Sequence, residues 1–154
     1  MIARLIDTIQ LRKMTKNDLY QVIAIEKQSY DFPWSDVVIK DCLFNKYDCY
    51  VAGDKNIYGY MISKITSQDS HILNLTIDSD YRGLGIGSSF LDLITKECKL
   101  HQSKHIYLEV RLSNTIARNL YQKFGFRSIG VRKNYYKNKS GREDAVVYRK
   151  NIFI

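Results

Sequence analysis

The sequence contains few cysteines and no residue spacing typical of a metal site. Its three cysteines are odd in number and lack C-x-x-C spacing, and its three histidines are scattered without metal-ligand partners. Neither a disulfide framework nor a zinc centre is therefore indicated, and we expect no bound metal. We expect the cysteines to be reduced, mostly buried thiols of a cytoplasmic protein; they are Cys42, Cys49 and Cys98.

The sequence also lacks a long apolar run, a low-complexity linker and an internal repeat. No stretch approaches the roughly 20 apolar residues that span a bilayer, so no membrane partner is expected. Residues 1–7 show neither a long apolar core nor a small-residue cleavage site, so we expect no signal peptide. With one proline in 154 residues, the chain is predicted to form a single domain over residues 1–154.

Basic residues outnumber acidic residues by 24 to 16, which gives a net charge of +8 at pH 7. Such a charge can mark a nucleic-acid surface. Here, however, lysine and arginine are spread along a chain that is rich in Lys, Asn, Ile and Tyr throughout, which favours a general composition bias. Nucleic acid is therefore not the partner we expect, although an acidic partner or an extra cofactor phosphate could use the charge. The oligomeric state stays open.

Hydrophobic periodicity predicts alternating strands and helices. Strands are predicted near residues 9–14, 47–52, 58–65, 71–77, 105–110, 126–136 and 145–153, with hairpin turns at 53–56 and 138–141. Helices are predicted after Thr15, Ser35 and Asn114, each at an N-cap position, and after a glycine-rich segment at 83–88. The order β-α-α-β-β-β-α-β-α-β-β indicates an α/β fold with a mixed sheet and helices on both faces.

The most informative motif is Tyr81-Arg-Gly-Leu-Gly-Ile-Gly-Ser88, between a predicted strand and a predicted helix. Glycine at every second position leaves the backbone bare, so several N–H groups can converge on one anion where the helix begins. A Walker A loop is excluded because no lysine lies between Tyr81 and Ser88, and the G-x-G-x-x-G fingerprint fails at Ser88 and Phe90. The segment predicts a site for a phosphorylated cofactor; a tight turn without a ligand is the alternative.

Three polar residues in the second half of the chain are candidates for a reactive site. Glu109 lies inside an otherwise apolar strand, where carboxylates are rare unless paired or functional. Pairing with Arg111 or a nearby lysine is the alternative explanation. Tyr121, on the apolar face of a helix, could equally be a core residue, and Asn114 could be only a helix N-cap.

Together these motifs resemble the GNAT family of N-acetyltransferases. Arg82-x-x-Gly85-x-Gly87 resembles the family's pyrophosphate loop, and the segment from Leu108 to Phe126, with Glu109, Asn114 and Tyr121, resembles the second half of its cofactor site. Two further motifs, Phe32-Pro33-Trp34-Ser35 and Asn134-Tyr135-Tyr136 with the nearby Gly141 to Ala145, are similar to the RimI-type ribosomal-protein N-terminal alanine acetyltransferases. Lys137 departs from this narrower group, whose members often have proline there, and the first dozen residues match no motif.

The resemblance implies a single-domain fold with a mostly antiparallel central sheet, and acetyl-CoA as the acetyl donor. It implies Glu109 as the general base and Tyr121 as the general acid. The implied cofactor contacts are the backbone of Leu75, Thr76 and Ile77 for the pantetheine arm, the loop Arg82, Gly83, Leu84, Gly85, Ile86, Gly87 and Ser88 for the pyrophosphate, and Asn114 beside it. The implied acceptor contacts are Trp34, Tyr135 and Tyr136, whose rings could instead be ordinary packing.

Proton transfer limits what these residues can do. A glutamate is a good base for an amine only if its pKa rises above the ordinary value of about 4.3, or if it acts through water. We expect burial in the strand to raise the pKa of Glu109. A free α-amino group, with a pKa near 8, loses its proton more easily than a lysine side chain near 10.4, which favours N-terminal substrates.

The expected function is acetylation of the N-terminal alanine of a small-subunit ribosomal protein. Acetylation of lysine or of a small-molecule amine stays open, and so does a non-catalytic module that binds coenzyme A or associates with RNA. Glu109 and Tyr121 discriminate between these classes, because a protein that only binds needs neither residue.

Overall fold

The computed structural model describes residues 9–153. The expectation about a signal peptide falls on residues 1–7, which lie outside this range. The described residues form seven strands and four α-helices in the predicted order, with 3-10 turns at Lys16–Asp18 and Ser79–Tyr81. The elements are β1 (Leu11–Lys13), α1 (Leu19–Ser29), α2 (Asp36–Phe44), β2 (Asp48–Gly53), β3 (Ile57–Lys64), β4 (Asp69–Ile77), α3 (Ile86–Leu100), β5 (His105–Arg111), α4 (Thr115–Lys123), β6 (Arg127–Asn138) and β7 (Gly141–Asn151).

The strands lie in the order β1-β2-β3-β4-β5-β7-β6. The pairs β1–β2, β2–β3, β5–β7 and β6–β7 are antiparallel, whereas β4 and β5 are parallel. A parallel pair needs a long crossover, and α3 supplies it between β4 and β5. The predicted α/β class with a mixed, mostly antiparallel sheet is therefore confirmed.

Contacts between residues divide the chain into two compact units. The first unit contains the described residues up to Lys64 and the segment Asn74–Asp92, and so holds β1 to β3, α1, α2 and the glycine-rich loop. The second contains Ile65–Leu73 and the chain from Leu93 onward, and so holds the start of β4 together with β5, α4, β6 and β7. The expectation of one domain over residues 1–154 stays a prediction.

In the first unit, the start of α1 is held by a buried carboxylate. Asp18 is 4% exposed and accepts hydrogen bonds from both Nη atoms of Arg12 at 2.8 Å and from the Thr15 backbone N–H at 2.8 Å. These bonds lower the pKa of Asp18, the hydrogen bond from Arg12 being the largest cause. The helix predicted after Thr15 thus begins as a 3-10 turn and becomes α-helical at Leu19. Ser35 caps α2 as predicted, since its side chain accepts from the Val38 N–H.

In the second unit, local rules account for β5 and α4. Every second residue of β5, starting at Ile106, is buried, while the residues between them are half-buried, which confirms the predicted alternation. The Asn114 side chain accepts from the Ala117 N–H at 3.2 Å, so Asn114 is the N-cap of α4. Gly125, with a φ of 89°, follows the helix in the left-handed conformation that glycine adopts most easily.

The three cysteines are buried thiols that form no disulfide within residues 9–153, and their predicted burial is confirmed. Burial raises the pKa of the Cys42 thiol and raises that of Cys49 to about 12, so neither is a ready nucleophile. Within residues 9–153, no helix is both long and apolar enough to cross a bilayer. In the same range, no cluster of three His, Cys, Asp or Glu side chains could hold a metal ion.

Candidate active site

The glycine-rich segment forms an open loop at the N-terminus of α3. Gly83 and Gly85 have φ angles of 73° and 88°, which favour glycine, and a Cβ atom at either position would meet no atom within 4 Å. The Ser89 N–H donates to the Gly85 carbonyl at 3.0 Å, so the N–H groups of residues 86–88 precede the first intrahelical bond of α3. Bare amides, a helix N-terminus and free space together fit a diphosphate.

Arg82 stands at the entrance of this loop with an exposed side chain. Its Nε donates to the Ile77 carbonyl at 3.1 Å, which ties the loop to the end of β4. The guanidinium therefore has donors left for a phosphate oxygen. The predicted loop residues that complete the segment are Leu84 and Ser88, both half-buried, Ile86, which is buried, and Gly87.

The end of β4 carries the residues predicted to contact the pantetheine arm. The ladder between β4 and β5 ends at Ile72 and Leu108, while β4 itself continues through Leu75 and Thr76 to Ile77. Thr76 is 3% exposed, and its Oγ1 lies 2.7 Å from the Tyr30 hydroxyl. Along this edge the backbone of β4 is extended beyond its pairing with β5, as the addition of a strand-like ligand requires.

Within the first unit, a buried carboxyl group on α1 anchors the Trp34 loop. Glu26, on α1 and 1% exposed, accepts from the Trp34 backbone N–H at 2.8 Å and from the Asn74 amide at 2.8 Å. It also accepts a hydrogen bond from the hydroxyl of Tyr60, which is fully buried. Burial is the largest cause of the raised pKa of Tyr60, and Glu26 adds to it. Trp34 is half-buried, so the loop is held through its backbone while the indole keeps partial exposure.

Glu109 lies in a charged cluster of the second unit. Its Oε2 is 2.7 Å from Nε2 of His71, and its Oε1 is 3.5 Å from Nε of Arg132. The hydrogen bond with His71 is the largest cause of a lowered pKa for Glu109; burial acts in the opposite direction but is weaker. The expectation that burial would raise this pKa was therefore wrong, because two cationic or proton-donating partners stabilise the carboxylate.

Arg111 is not the partner of Glu109, so the alternative pairing considered from the sequence was also wrong. Arg111 donates to Glu143 at 2.9 Å and to the Lys137 carbonyl at 3.0 Å, and its guanidinium lies 4.6 Å from the centre of the Tyr136 ring. Burial alone would raise the pKa of Glu143, but the hydrogen bonds from Arg111 and Ser113 lower it overall. Arg111 thus fixes Tyr136 on the β6–β7 hairpin.

A bulge in β6 reorients the pair of tyrosines. Arg132 pairs with Ala145 and Tyr136 with Glu143, so residues 133–135 oppose the single residue at position 144. Asn134, at the bulge, has a positive φ of 53°. The guanidinium of Arg132 lies 5.6 Å from the Tyr135 ring centre, and Tyr135 is 46% exposed. Arg132 therefore contacts both Glu109 and one of the predicted acceptor-binding rings.

Tyr121 and Asn114 belong to α4 in the same unit. Tyr121 is 7% exposed, and its ring lies 5.8 Å from that of Phe126 and 6.3 Å from that of Tyr148. Tyr121 is thus buried against two aromatic rings, and its role as general acid stays a prediction. Asn114 fills the N-cap role and is exposed.

Sequence reasoning missed two residues that the fold makes central. His71 was treated as an isolated histidine, although its position in a predicted strand placed it on one face with every second residue of that strand. Glu26 received no role, although it lies four residues after Val22 on the apolar face of α1. For Glu26 the signal was a carboxylate on the apolar face of a helix, and for His71 it was a titratable side chain inside a predicted strand.

Comparisons with known proteins bear on the family and the fold of the chain. The sequence model of the acetyltransferase (GNAT) family matches residues 16–126. The chain is 35% identical over 140 residues to a Bacillus subtilis protein provisionally named [ribosomal protein bS18]-alanine N-acetyltransferase, covering 89% of this chain and 91% of that protein. It is 28% identical to the Escherichia coli enzyme of that name, with coverage of 89% and 93%. The crystal structure of the Escherichia coli ribosomal-protein-S18-alanine N-acetyltransferase superposes with a TM-score of 0.88 at 26% identity, over 96% of each chain.

Proposed function

We propose that this chain, which belongs to the acetyltransferase (GNAT) family and is an acetyl-CoA-dependent N-acetyltransferase, acetylates the N-terminal alanine of ribosomal protein bS18. The observation that carries the proposal is the similarity over 89% of the chain to relatives whose names specify this acceptor. The buried, reduced cysteines support the cytoplasm as the place of action, where such an acceptor is made.

The acetyl donor is acetyl-CoA, and the loop from Arg82 to Ser88 is our proposed site for its pyrophosphate. The open space at Gly83 and Gly85 and the N-terminus of α3 support this assignment. We assign the pantetheine arm to the backbone of Leu75, Thr76 and Ile77, and a contact beside the pyrophosphate to Asn114. When bound, acetyl-CoA supplies an activated acyl group, and positioning it against an amine can contribute on the order of 7–11 kcal/mol.

Removal of the amine proton, directly or through water, is assigned to Glu109, and protonation of the departing thiolate to Tyr121. A phenol, with an ordinary pKa near 10, stays protonated at pH 7 and can give its proton to a thiolate. The pairing of Glu109 with His71 supports a proton-transfer role, because a carboxylate and an imidazole at 2.7 Å form a unit that can hold or pass a proton. Trp34, Tyr135 and Tyr136 are our proposed acceptor contacts.

The test is acetyl transfer from labelled acetyl-CoA by the purified chain to two matched peptides. The first has the bS18 N-terminal sequence with a free alanine amine; the second has the same sequence with a blocked N-terminus and an added internal lysine. We expect rapid labelling of the first peptide and little labelling of the second. Labelling of the second peptide alone would refute the N-terminal assignment and favour a lysine acetyltransferase.

A second measurement separates an enzyme from a module that only binds. Glu109→Gln is expected to lower turnover about 10²-fold or more, the usual scale for a proton-transfer group, while the Kd for coenzyme A stays unchanged. Tyr121→Phe is expected to impair turnover in a folded protein. Full activity of both variants would remove these residues from the mechanism.

A further inference from the structure

The positive charge of the chain is not shared equally by the two units. Among the described residues, the first unit contains nine lysine and arginine residues and ten aspartate and glutamate residues, so it is nearly neutral. The second unit contains 14 basic residues and only five acidic residues. The expectation against nucleic acid rested on the spread of basic residues along the sequence, whereas the fold collects their excess in one unit. Such an asymmetry indicates a polyanionic partner for the second unit.

Within the second unit, the basic residues are concentrated on the β6–β7 hairpin. Residues 127–151 contain eight lysine and arginine residues but only two carboxylates, those of Glu143 and Asp144. Both carboxylates already have partners: Glu143 accepts from Arg111 at 2.9 Å, and Asp144 accepts from the Asn134 backbone N–H at 2.9 Å. The outermost strand, β6, contains no acidic residue, and its four basic residues are all exposed: Arg127, Arg132, Lys133 and Lys137.

Two cross-strand pairs of this hairpin join like charges. Arg127 pairs with Arg149 near one end, and Lys137 pairs with Arg142 beside the turn. Side chains that are directly opposite have Cβ atoms about 4.5–5.5 Å apart, and like charges in such a pair destabilise a sheet. Within residues 9–153, none of these four side chains forms an ion pair with a carboxylate. A bound anion would offset the repulsion in each pair.

Protection of the sheet edge explains only part of this pattern. Lysine and arginine on β6 discourage pairing with another chain. Arg142 and Arg149, however, lie on β7, an inner strand between β5 and β6 whose edges need no such protection. Seven residues separate Arg142 from Arg149, which is about 23 Å along the strand. The like-charge pairs therefore mark two ends of a line, as a polymer requires, and not a pocket for one small anion.

We propose that the second unit binds the phosphate backbone of RNA along a basic hairpin surface, which consists of Arg127, Lys133, Lys137, Arg142 and Arg149. Arginine and lysine contact phosphates without regard to base sequence, so a line of them binds a charged backbone. RNA is the polyanion because the proposed acceptor is a ribosomal protein, and ribosomal proteins are assembled on RNA. The inference goes beyond the proposed function and rests on it for this choice alone. The surface holds the enzyme beside an acceptor that is bound to RNA.

The experiment measures binding of a fluorescently labelled single-stranded RNA of about 20 nucleotides to the full chain by anisotropy, between about 50 and 200 mM salt. With five phosphate contacts, log K should fall against log[salt] with a slope of roughly −3.5 in the wild type. Arg127→Gln/Lys137→Gln removes one member of each like-charge pair, so the slope should become roughly −2 and the affinity at low salt should fall about 10-fold or more. Wild-type affinity and slope in this double variant would overturn the inference.

Two matched variants separate this surface from the net charge of the chain. Lys13→Gln/Lys40→Gln removes the same charge from two exposed positions of the first unit and should bind RNA like the wild type. Arg127→Lys/Lys137→Arg keeps the charge of the hairpin and should also retain the wild-type slope. Equal weakening by both charge-removing variants would show that binding depends on net charge alone and would refute the assignment. An acidic peptide of equal charge that binds more tightly than the RNA would replace RNA by an acidic protein partner.

Urea unfolding gives a readout that does not depend on RNA. Because Arg127→Gln/Lys137→Gln relieves repulsion in both pairs, its urea midpoint should equal or exceed that of the wild type. A marked fall in the midpoint would show that these side chains stabilise the hairpin, which contradicts the repulsion on which the inference depends.

Acetyl transfer to the alanine peptide separates this inference from the proposed function. The peptide carries no RNA, so the double variant should acetylate it at the wild-type rate. A wild type that acetylates the peptide but shows no salt-dependent RNA binding would refute the docking surface alone. A wild type that binds RNA but does not acetylate the peptide would refute the proposed function, so the two failures are distinguishable.

Discussion

Glu26→Gln is the perturbation for which the structure makes the sharpest prediction. The Glu26 carboxyl group receives three hydrogen bonds, from the Trp34 N–H on one oxygen and from Tyr60 and Asn74 on the other. Glutamine has nearly the same volume but offers one oxygen and one NH₂ group. If the amide oxygen keeps Tyr60 and Asn74, the NH₂ group faces the Trp34 N–H, and two donors oppose each other.

The expected loss follows from the number of donors left without an acceptor. One desolvated, unpaired donor costs about 1–3 kcal/mol, so the free energy of unfolding should fall by roughly 2 kcal/mol in Glu26→Gln. At an m-value near 2 kcal/mol/M, the urea midpoint moves down by about 1 M. Glu26→Ala removes the acceptor for three donors and should lose more, at least about 3 kcal/mol.

Two control variants separate this explanation from general disturbance of α1. Tyr60→Phe removes one donor and leaves the carboxyl group with two partners, so a smaller loss of about 1 kcal/mol is expected. Gln28→Ala, at an exposed position of the same helix, should stay within about 0.5 kcal/mol of the wild type. If Glu26→Gln is as stable as Gln28→Ala, the reasoning about the three donors is refuted.

Enzyme kinetics on the same variant test the assignment of the Trp34 loop. Because Glu26 holds this loop through the Trp34 backbone, Glu26→Gln should raise KM for the acceptor peptide while leaving the Kd for coenzyme A unchanged. A weakened Kd for coenzyme A with an unchanged KM for the peptide would contradict the proposal that Trp34 contacts the acceptor.

Three further predictions concern the loop, the pH dependence and the thiols. Gly85→Ala should destabilise the chain by only about 1 kcal/mol, because the added Cβ meets no atom, yet it should weaken coenzyme A binding because alanine disfavours the φ of 88° that the loop adopts there. Gly130→Ala, whose added Cβ also meets no atom, should leave coenzyme A binding unchanged. Equal binding by the two variants would contradict the loop assignment. Because the pKa of Asp18 is lowered in the folded chain, its stabilising contribution is present above the ordinary carboxyl pKa of about 4 and is lost as pH falls through the lower folded-state value. The urea midpoint of the wild type should therefore decrease when the pH is lowered below about 4. The decrease should be smaller in Asp18→Asn. Finally, a thiol reagent such as Ellman's should label Cys49 only after urea unfolding, because burial raises its pKa to about 12; labelling of the folded chain would show that this strand opens.

Much of the secondary structure and one half of the candidate site could be predicted from local patterns. The caps at Ser35 and Asn114 and the turn at Gly125 depend on residues at most five positions apart. The alternation of β5 and the glycine loop are likewise local, because backbone conformation at glycine and the exposure of helix-terminal N–H groups follow from neighbouring residues. The predicted bounds of the β6–β7 hairpin were too short, since pairing continues to Asn138 and Gly141 around a two-residue turn.

The charged partners were decided by the tertiary structure. His71 and Glu109 are 38 positions apart, and Glu26 and Asn74 are 48 apart, so no local spacing brings these groups together. The parallel register of β4 against β5 aligns His71 with Tyr107, two residues from Glu109. This register lowers the pKa of Glu109 where burial alone would raise it. The sequence by itself determined which segments are candidates for binding and which residues could react. Strand pairing decided which of these residues are hydrogen-bonded to one another, because a pKa depends on the charges and donors that long-range contacts bring within hydrogen-bond distance.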